Sequence, residues 1–175
     1  RLGDMDNAVK HGEWARQGWL RLGNKGKLSQ SLNNLSTVYY EKGDGEVALR
    51  LAEEAVALAR EGGDKARQAW ALVTRGRALQ ALGLVAEALE SHSEAVEKAR
   101  EGGEAQALAA AYDGLANAYR EMGDLEKAEG LLRQALMECQ GRSDFENALF
   151  SLSLGTVFFD QGEYKQSLVL LDKAC

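Results

Sequence analysis

Hydrophobic residues recur along the chain with the spacing of amphipathic helices, and glycines interrupt this pattern at regular intervals. In one stretch Leu32, Leu35, Val38 and Tyr39 stand at positions i, i+3, i+6 and i+7. After a break at Gly43–Gly45 the helical spacing resumes at Ala48, Leu51, Ala52, Ala55 and Leu58. An apolar stripe of this period predicts one helix on each side of the break.

The breaks have a common sequence, in which a glycine is followed by an acidic residue. Glycine accepts the left-handed conformation that ends a helix, and a following carboxylate can cap the next helix. The pairs are Gly3–Asp4, Gly43–Asp44, Gly123–Asp124 and Gly162–Glu163, and glycine pairs before an acid occur at 62–64 and 102–104. The pattern predicts helices near 5–22, 27–42, 45–61, 65–82, 85–101, 105–122, 125–140, 144–161 and 164–175.

Three sets of small residues repeat along the chain with a period of about 40 residues. The first set is Gly3, Gly43, Gly83, Gly123 and Gly162; the second is Ala8, Ala48, Ala88, Ala128 and Ser167; the third is Ala15, Ala55, Ala95, Ala135 and Ala174. Helix pairs repeated in this way predict an all-α, right-handed α-α superhelix, a solenoid of antiparallel helix pairs. We expect a half repeat over 1–24 that contributes its second helix only, repeats over 25–64, 65–104 and 105–143, and a truncated repeat over 144–175.

Composition and charge narrow the class of protein. The chain has 175 residues, no proline, two cysteines and a net charge of −6. The acidic balance disfavours nucleic acid and anionic lipid as partners, and no apolar run approaches the roughly 18 residues that span a bilayer. Low cysteine use favours the cytoplasm, and the absence of isoleucine beside abundant alanine, leucine and glycine favours a bacterial source. Because the chain starts without methionine and stops within an apolar helical pattern, we expect a piece of a longer protein.

Residues able to carry catalysis or bind a metal ion are sparse. Neither His11 nor His92 has a histidine or cysteine three or four positions away, so each is interpreted as a surface or satisfied interior residue. Cys139 and Cys175 are interpreted as inert packing thiols, and the glycines at 43–45 follow a helix where a dinucleotide motif follows a strand. We therefore expect no catalytic residue, no cofactor and no metal; an enzyme would need chemistry outside this chain.

The repeated residues resemble the tetratricopeptide repeat (TPR). The first full repeat has Leu35, Ser36, Tyr39, Gly43, Ala48 and Ala55 at the signature positions, and the third has Tyr112, Leu115, Ala116, Tyr119, Gly123, Ala128 and Ala135. The second departs from the pattern at Arg75 and Leu79. Because the repeats exceed the usual length of about 34 residues, the resemblance is to the long variant of kinesin light chains and bacterial sensor and regulator proteins.

This resemblance implies that the first helix of each pair lines a concave groove. The groove residues that we expect to contact a partner are Asn33, Asn34, Thr37, Tyr40, Trp70, Thr74, Arg77, Asp113, Asn117, Arg120, Thr156 and Phe159. Amides and aromatic side chains in a groove suit an extended peptide. Arg77 and Arg120 would be the central cations for an acidic group. The alternative is that these arginines are solvated and pair with Asp113, Glu121 or Glu41.

Two functional hypotheses follow. The first is a protein-interaction module that binds a peptide or partner segment in the groove, as the sensory or scaffold part of a larger bacterial signalling or regulatory protein. The second is a structural spacer or a self-association array that binds nothing in its groove and forms homo-oligomers through the incomplete last repeat.

Overall fold

The computed structural model describes residues 2–138 and 144–174. Within these residues the chain forms nine helices and no strand. They are α1 (Leu2–Arg21), α2 (Lys25–Glu41), α3 (Gly45–Glu61), α4 (Lys65–Ala81), α5 (Val85–Gly102), α6 (Ala105–Glu121), α7 (Leu125–Glu138), α8 (Asp144–Asp160) and α9 (Tyr164–Ala174).

The helices expected from the sequence are all present, and the bounds that can be compared agree within three residues. The largest difference is at the start of α1, where Gly3–Asp4 was expected to precede the helix and lies inside it. The expected end of the seventh helix at 140 lies outside the described residues, as do Cys139 and Cys175.

Glycine ends the helices as the sequence predicted. Gly43 and Gly123 have φ of +83° and +80°, a conformation that costs little only without a Cβ. The next residue then caps the following helix: the Asp44 carboxylate accepts a hydrogen bond of 3.2 Å from the amide of Val47. Asp124 accepts a bond of the same length from the amide of Lys127. Each of these two turns therefore stops one helix and starts the next with two adjacent residues. At the starts of α5 and α6 the cap residues Leu84 and Glu104 make no such side-chain bond.

Small residues allow the two helices of a pair to approach closely. Ala48, Ala88 and Ala128 are fully buried, and Ser167 is almost so. At the first of these crossings the hydroxyl of Ser36 in α2 donates a hydrogen bond of 2.7 Å to the carbonyl of Ala48 in α3. A larger side chain at such a position would push the helices apart.

The pairs stack into the predicted all-α, right-handed superhelix. Each helix packs against the next one in the chain, and α2, α4, α6 and α8 also contact one another in succession. The first helices of successive pairs therefore lie side by side along one surface. These are the helices that the resemblance implied would line a concave groove.

The side chain of His92 in α5 lies between α4 and α6, the first helices of two successive pairs. Its ring is fully buried, and a Cβ placed on Gly76 of α4 would lie 2.5 Å from its Nε2. A Cβ on Gly114 of α6 would lie 2.3 Å from its Cε1. The two helices can therefore enclose the ring only because both residues are glycine.

Among the described residues, only one of the two ring nitrogens of His92 has a hydrogen-bond partner. Its Nε2 lies 3.0 Å from the side-chain oxygen of Gln80, to which it donates, while Nδ1 is buried without a partner among the described residues. Burial and, to a lesser extent, the nearby charge of Arg77 lower the pKa of His92 from 6.5 to about 4. His92 is therefore neutral near pH 7.

Replacing Ala88 by leucine should overpack the crossing of α4 and α5 and reduce the free energy of unfolding by about 1–3 kcal/mol. Thermal or denaturant unfolding of Ala88→Leu measures this loss. Ala86 is exposed on the same helix, and Ala86→Leu is the matched control that should leave stability almost unchanged. Equal stability of Ala88→Leu and the wild type would contradict the crossing assignment.

Acid should destabilise the fold through His92. The unfolded chain protonates this histidine near pH 6.5 and the folded protein only near pH 4, so the unfolded state binds more protons between these values. The free energy of unfolding should fall by roughly 3 kcal/mol across that interval from this group alone. Urea unfolding from pH 7 to pH 4 measures the fall.

Carboxylates also bind protons in acid and change the free energy of unfolding. The variant His92→Leu isolates the part that is due to the histidine. Leu132 occupies the corresponding position of the next repeat and is fully buried, so His92→Leu should fold and lose less stability in acid than the wild type. His11→Gln removes the chain's other histidine and should keep the full loss. Identical acid profiles for His92→Leu and the wild type would refute the assignment.

Candidate functional site

A pocket of about 380 Å³ opens between the first helices α2 and α4. It is lined by Ser29, Gln30, Asn33, Asn34, Thr37, Arg67, Trp70, Val73, Thr74 and Arg77. Six of the twelve groove residues expected from the sequence lie together here: Asn33, Asn34, Thr37, Trp70, Thr74 and Arg77. We call this cavity the α2–α4 pocket.

The hydroxyl groups that line the pocket already donate hydrogen bonds to helix carbonyls. Ser29 donates to the carbonyl of Ala55 at 2.9 Å. Thr37 donates to the carbonyl four residues earlier in its own helix, at 3.2 Å, and Thr74 does so at 3.1 Å. Because each hydroxyl has one hydrogen, these oxygens offer only lone pairs to a further group.

Asn33 offers a second kind of acceptor. Its side-chain oxygen is buried and has no hydrogen-bond partner among the described residues. A buried acceptor without a donor is unfavourable, so a ligand that supplies an N–H or O–H group gains from pairing with it.

Two arginines line the pocket and differ in whether a carboxylate pairs with them. Arg67 is half-buried and pairs with Asp64 of the preceding turn. Arg77 is exposed and takes part in no ion pair within residues 2–138 and 144–174. Arg77 is therefore the pocket cation that can receive an anionic group of a ligand.

Arg120, the other cation expected at the centre of the groove, is already paired. Its guanidinium lies 3.1 Å from a carboxylate oxygen of Asp160 at the end of α8. This partner is one repeat further along and differs from the three acids that the sequence suggested. Asp113 in turn accepts a hydrogen bond from the hydroxyl of Ser153 in α8.

The remaining expected residues lie outside the α2–α4 pocket. Thr156 donates to the carbonyl of Leu152 in its own helix at 3.0 Å, and Asn117 is half-buried on α6. Phe159 is 60% exposed, and its ring lies 5.5 Å from that of Tyr164 in an edge-to-face contact. Tyr40 is 40% exposed at the end of α2.

Sequence reasoning missed Ser29 and Arg67 as pocket residues. Ser29 resembles any small core residue in the helical pattern, and the position of Arg67 depends on its pairing with Asp64 across the first turn of α4.

The sequence also left open whether His92 lies at the surface or in the interior. A signal was available, because the same position in the neighbouring repeats is Ala52 and Leu132, which predicts burial.

Two features are absent from the described part of the chain. Residues 2–138 and 144–174 contain no cluster of three or more histidine, cysteine, aspartate or glutamate side chains that could hold a metal ion. No helix among them combines the length and the apolar character needed to cross a bilayer.

The chain is similar in structure to several solved proteins at low sequence identity. It matches a Rap conjugation gene regulator of the plasmid pLS20 in complex with the Phr* peptide with a TM-score of 0.80 and 18% identity, over 99% of this chain and 48% of that one. It matches a putative kinesin light chain of Podosopora anserina with TPR-like repeats with a TM-score of 0.74 and 22% identity, over 99% and 86%.

A third similar structure is a signal transduction ATPase with numerous domains from Pyrococcus horikoshii, which has a tetratricopeptide-repeat sensor. The TM-score is 0.75 at 19% identity, over 97% of this chain and 26% of that one. At these identities the likeness establishes the fold.

One protein family matches most of the sequence. No curated protein matches the chain. The family described as "MalT-like TPR region" matches residues 27–175, which confirms the resemblance to tetratricopeptide repeats. The chain therefore belongs to the family of MalT-like TPR regions.

Proposed function

We propose that the chain is a protein-interaction module that binds an extended segment of a partner protein, or a peptide, in its concave groove. The observation that carries this proposal is the α2–α4 pocket, which combines the cation Arg77 with the buried acceptor of Asn33, neither of which has a partner within the part of the chain that the structure describes. Hydrophobic surface from Trp70 and Val73 lies beside these polar groups. A concave site with a few convergent polar groups on an apolar wall is typical of ligand sites.

Similar proteins support a sensory or scaffold role. One similar structure is a Rap regulator in complex with a peptide, and another contains a TPR sensor within a chain of which this one spans 26%. We propose by analogy that this chain is the sensory or scaffold part of a larger bacterial signalling or regulatory protein of the cytoplasm. Repeats of this type are generally non-catalytic interaction modules, and the proposal assigns no reaction to the chain.

The partner segment should contain an acidic group. Arg77 is exposed at the pocket and unpaired among the described residues, so a carboxylate can reach it without displacing an existing ion pair. Arg120 is less suited, because Asp160 already neutralises its charge. An anionic ligand group would therefore bind near α4.

The spacer or self-association hypothesis has one observation in its favour. Leu168 and Val169 of α9 are 62% and 55% exposed, and Phe159 and Tyr164 add aromatic surface nearby. An apolar face of this kind can associate with a second copy. In this alternative the groove is empty and α9 forms the contact.

Selection from a random dodecamer peptide display library tests the groove directly. Peptides selected on the wild type should lose about tenfold or more in affinity for Arg77→Ala, because a charge-assisted hydrogen bond is lost. Arg120→Ala should cost less, since its charge is already neutralised. Fluorescence polarisation of labelled synthetic peptides gives the dissociation constants.

Arg50 provides the matched control, because it is exposed on the second helix α3. Arg50→Ala makes the same change in net charge and should leave binding unchanged. Equal losses in Arg77→Ala and Arg50→Ala would point to the outer face. A failure to select any peptide, together with a dimer in sedimentation velocity, would favour the self-association hypothesis.

A further inference from the structure

Four side-chain oxygens that line the α2–α4 pocket can accept a hydrogen bond. The hydroxyls of Ser29, Thr37 and Thr74 give their hydrogens to helix carbonyls, which leaves only oxygen lone pairs for a further group. The side-chain oxygen of Asn33 adds an acceptor that is buried and unpartnered. Ser29 and Thr74 are buried, and Asn33 and Thr37 are half-buried. A group that enters the pocket should therefore supply a donor.

The charge of the pocket disfavours cationic donors. Arg77 stands at the exposed rim without an ion pair among the described residues, whereas Arg67 is paired with Asp64. A lysine or arginine of the partner would be brought close to the like charge of Arg77. Donors without charge meet no such penalty. The side chains of asparagine, glutamine, serine, threonine and tyrosine are of this kind.

The α2–α4 pocket has room for a side chain of the bound segment. Its volume is about 380 Å³, and it is bounded on the α4 side by Trp70 and Val73. Trp70 is half-buried and Val73 is buried, so Trp70 offers most of the apolar surface to the carbon atoms of an inserted side chain. The exposed members Gln30, Asn34 and Arg77 surround the opening, where the backbone of a bound segment would lie.

We propose that the α2–α4 pocket selects a neutral side chain that donates a hydrogen bond, next to an acidic residue of the partner that pairs with Arg77. Asn33 is the specificity-determining residue: its side-chain oxygen is buried and unpartnered among the described residues, and it accepts the donated hydrogen when the side chain turns toward the cavity. This inference rests on the proposed function, since it names the chemistry of the segment that the groove binds.

Peptides selected from the dodecamer library test the inference. We expect them to share an uncharged donor residue within a few positions of an aspartate or glutamate. Replacing that donor by the closest apolar side chain, such as valine for threonine or phenylalanine for tyrosine, should weaken binding to the wild type about tenfold. Fluorescence polarisation with each matched peptide pair gives the ratio of the two dissociation constants.

The variant Asn33→Leu should abolish this discrimination. The donor peptide should bind it about tenfold more weakly than the wild type, and the two peptides of a pair should bind it equally. Asn33→Asp keeps an acceptor and should keep the ratio near that of the wild type. Asn34 is the exposed neighbour at the rim, and Asn34→Leu is the matched control that should also keep the ratio.

Two results would overturn the inference while the proposed function stands. One is a set of Arg77-dependent peptides with no preference for a donor, and the other is a ratio that persists in Asn33→Leu or collapses in Asn33→Asp. If no peptide binds in an Arg77-dependent manner, the groove itself is not the receptor, and the proposed function fails together with the inference.

Discussion

The close approach of two helices at a small residue is the constraint on which the rest of the structure depends. Ala48, Ala88 and Ala128 stand one period apart and are fully buried. At the first of these crossings the helices of the pair come close enough for the hydroxyl of Ser36 in one to donate a hydrogen bond to the carbonyl of Ala48 in the other. Because the small residues recur at one period, successive pairs stack in the same order, and the first helices α2, α4, α6 and α8 contact one another in succession. The groove is a consequence of this regularity.

The parts of the fold that depend on local sequence could be predicted. Helix ends follow from glycine and the acidic cap beside it, as at Gly43 and Asp44, and the period follows from the small residues. Six of the expected groove residues lie in one pocket because the first helices present the same face in each repeat. Neighbours along a regular array are set by the period, so the sequence alone places them.

The parts that depend on contacts between repeats could not be predicted. Arg120 reaches Asp160 of the following first helix, a choice that depends on the rotation between pairs and on side-chain length. His92 occupies the space between Gly76 and Gly114, which requires two glycines from different repeats to face one ring. The acceptor oxygens of the α2–α4 pocket have a similar origin, since they depend on where each hydroxyl directs its hydrogen.

If a partner occupies the groove between α2 and α4, the chain's three tryptophans allow its binding to be observed directly. Trp70 lines the pocket, whereas Trp14 and Trp19 lie on α1, with Trp14 78% exposed. The measurement is a two-dimensional ¹H–¹⁵N spectrum of the indole N–H groups during titration with a selected peptide. The account predicts that the Trp70 resonance shifts and saturates while the other two remain in place. Shifts confined to Trp14 and Trp19, with Trp70 unchanged, would contradict it.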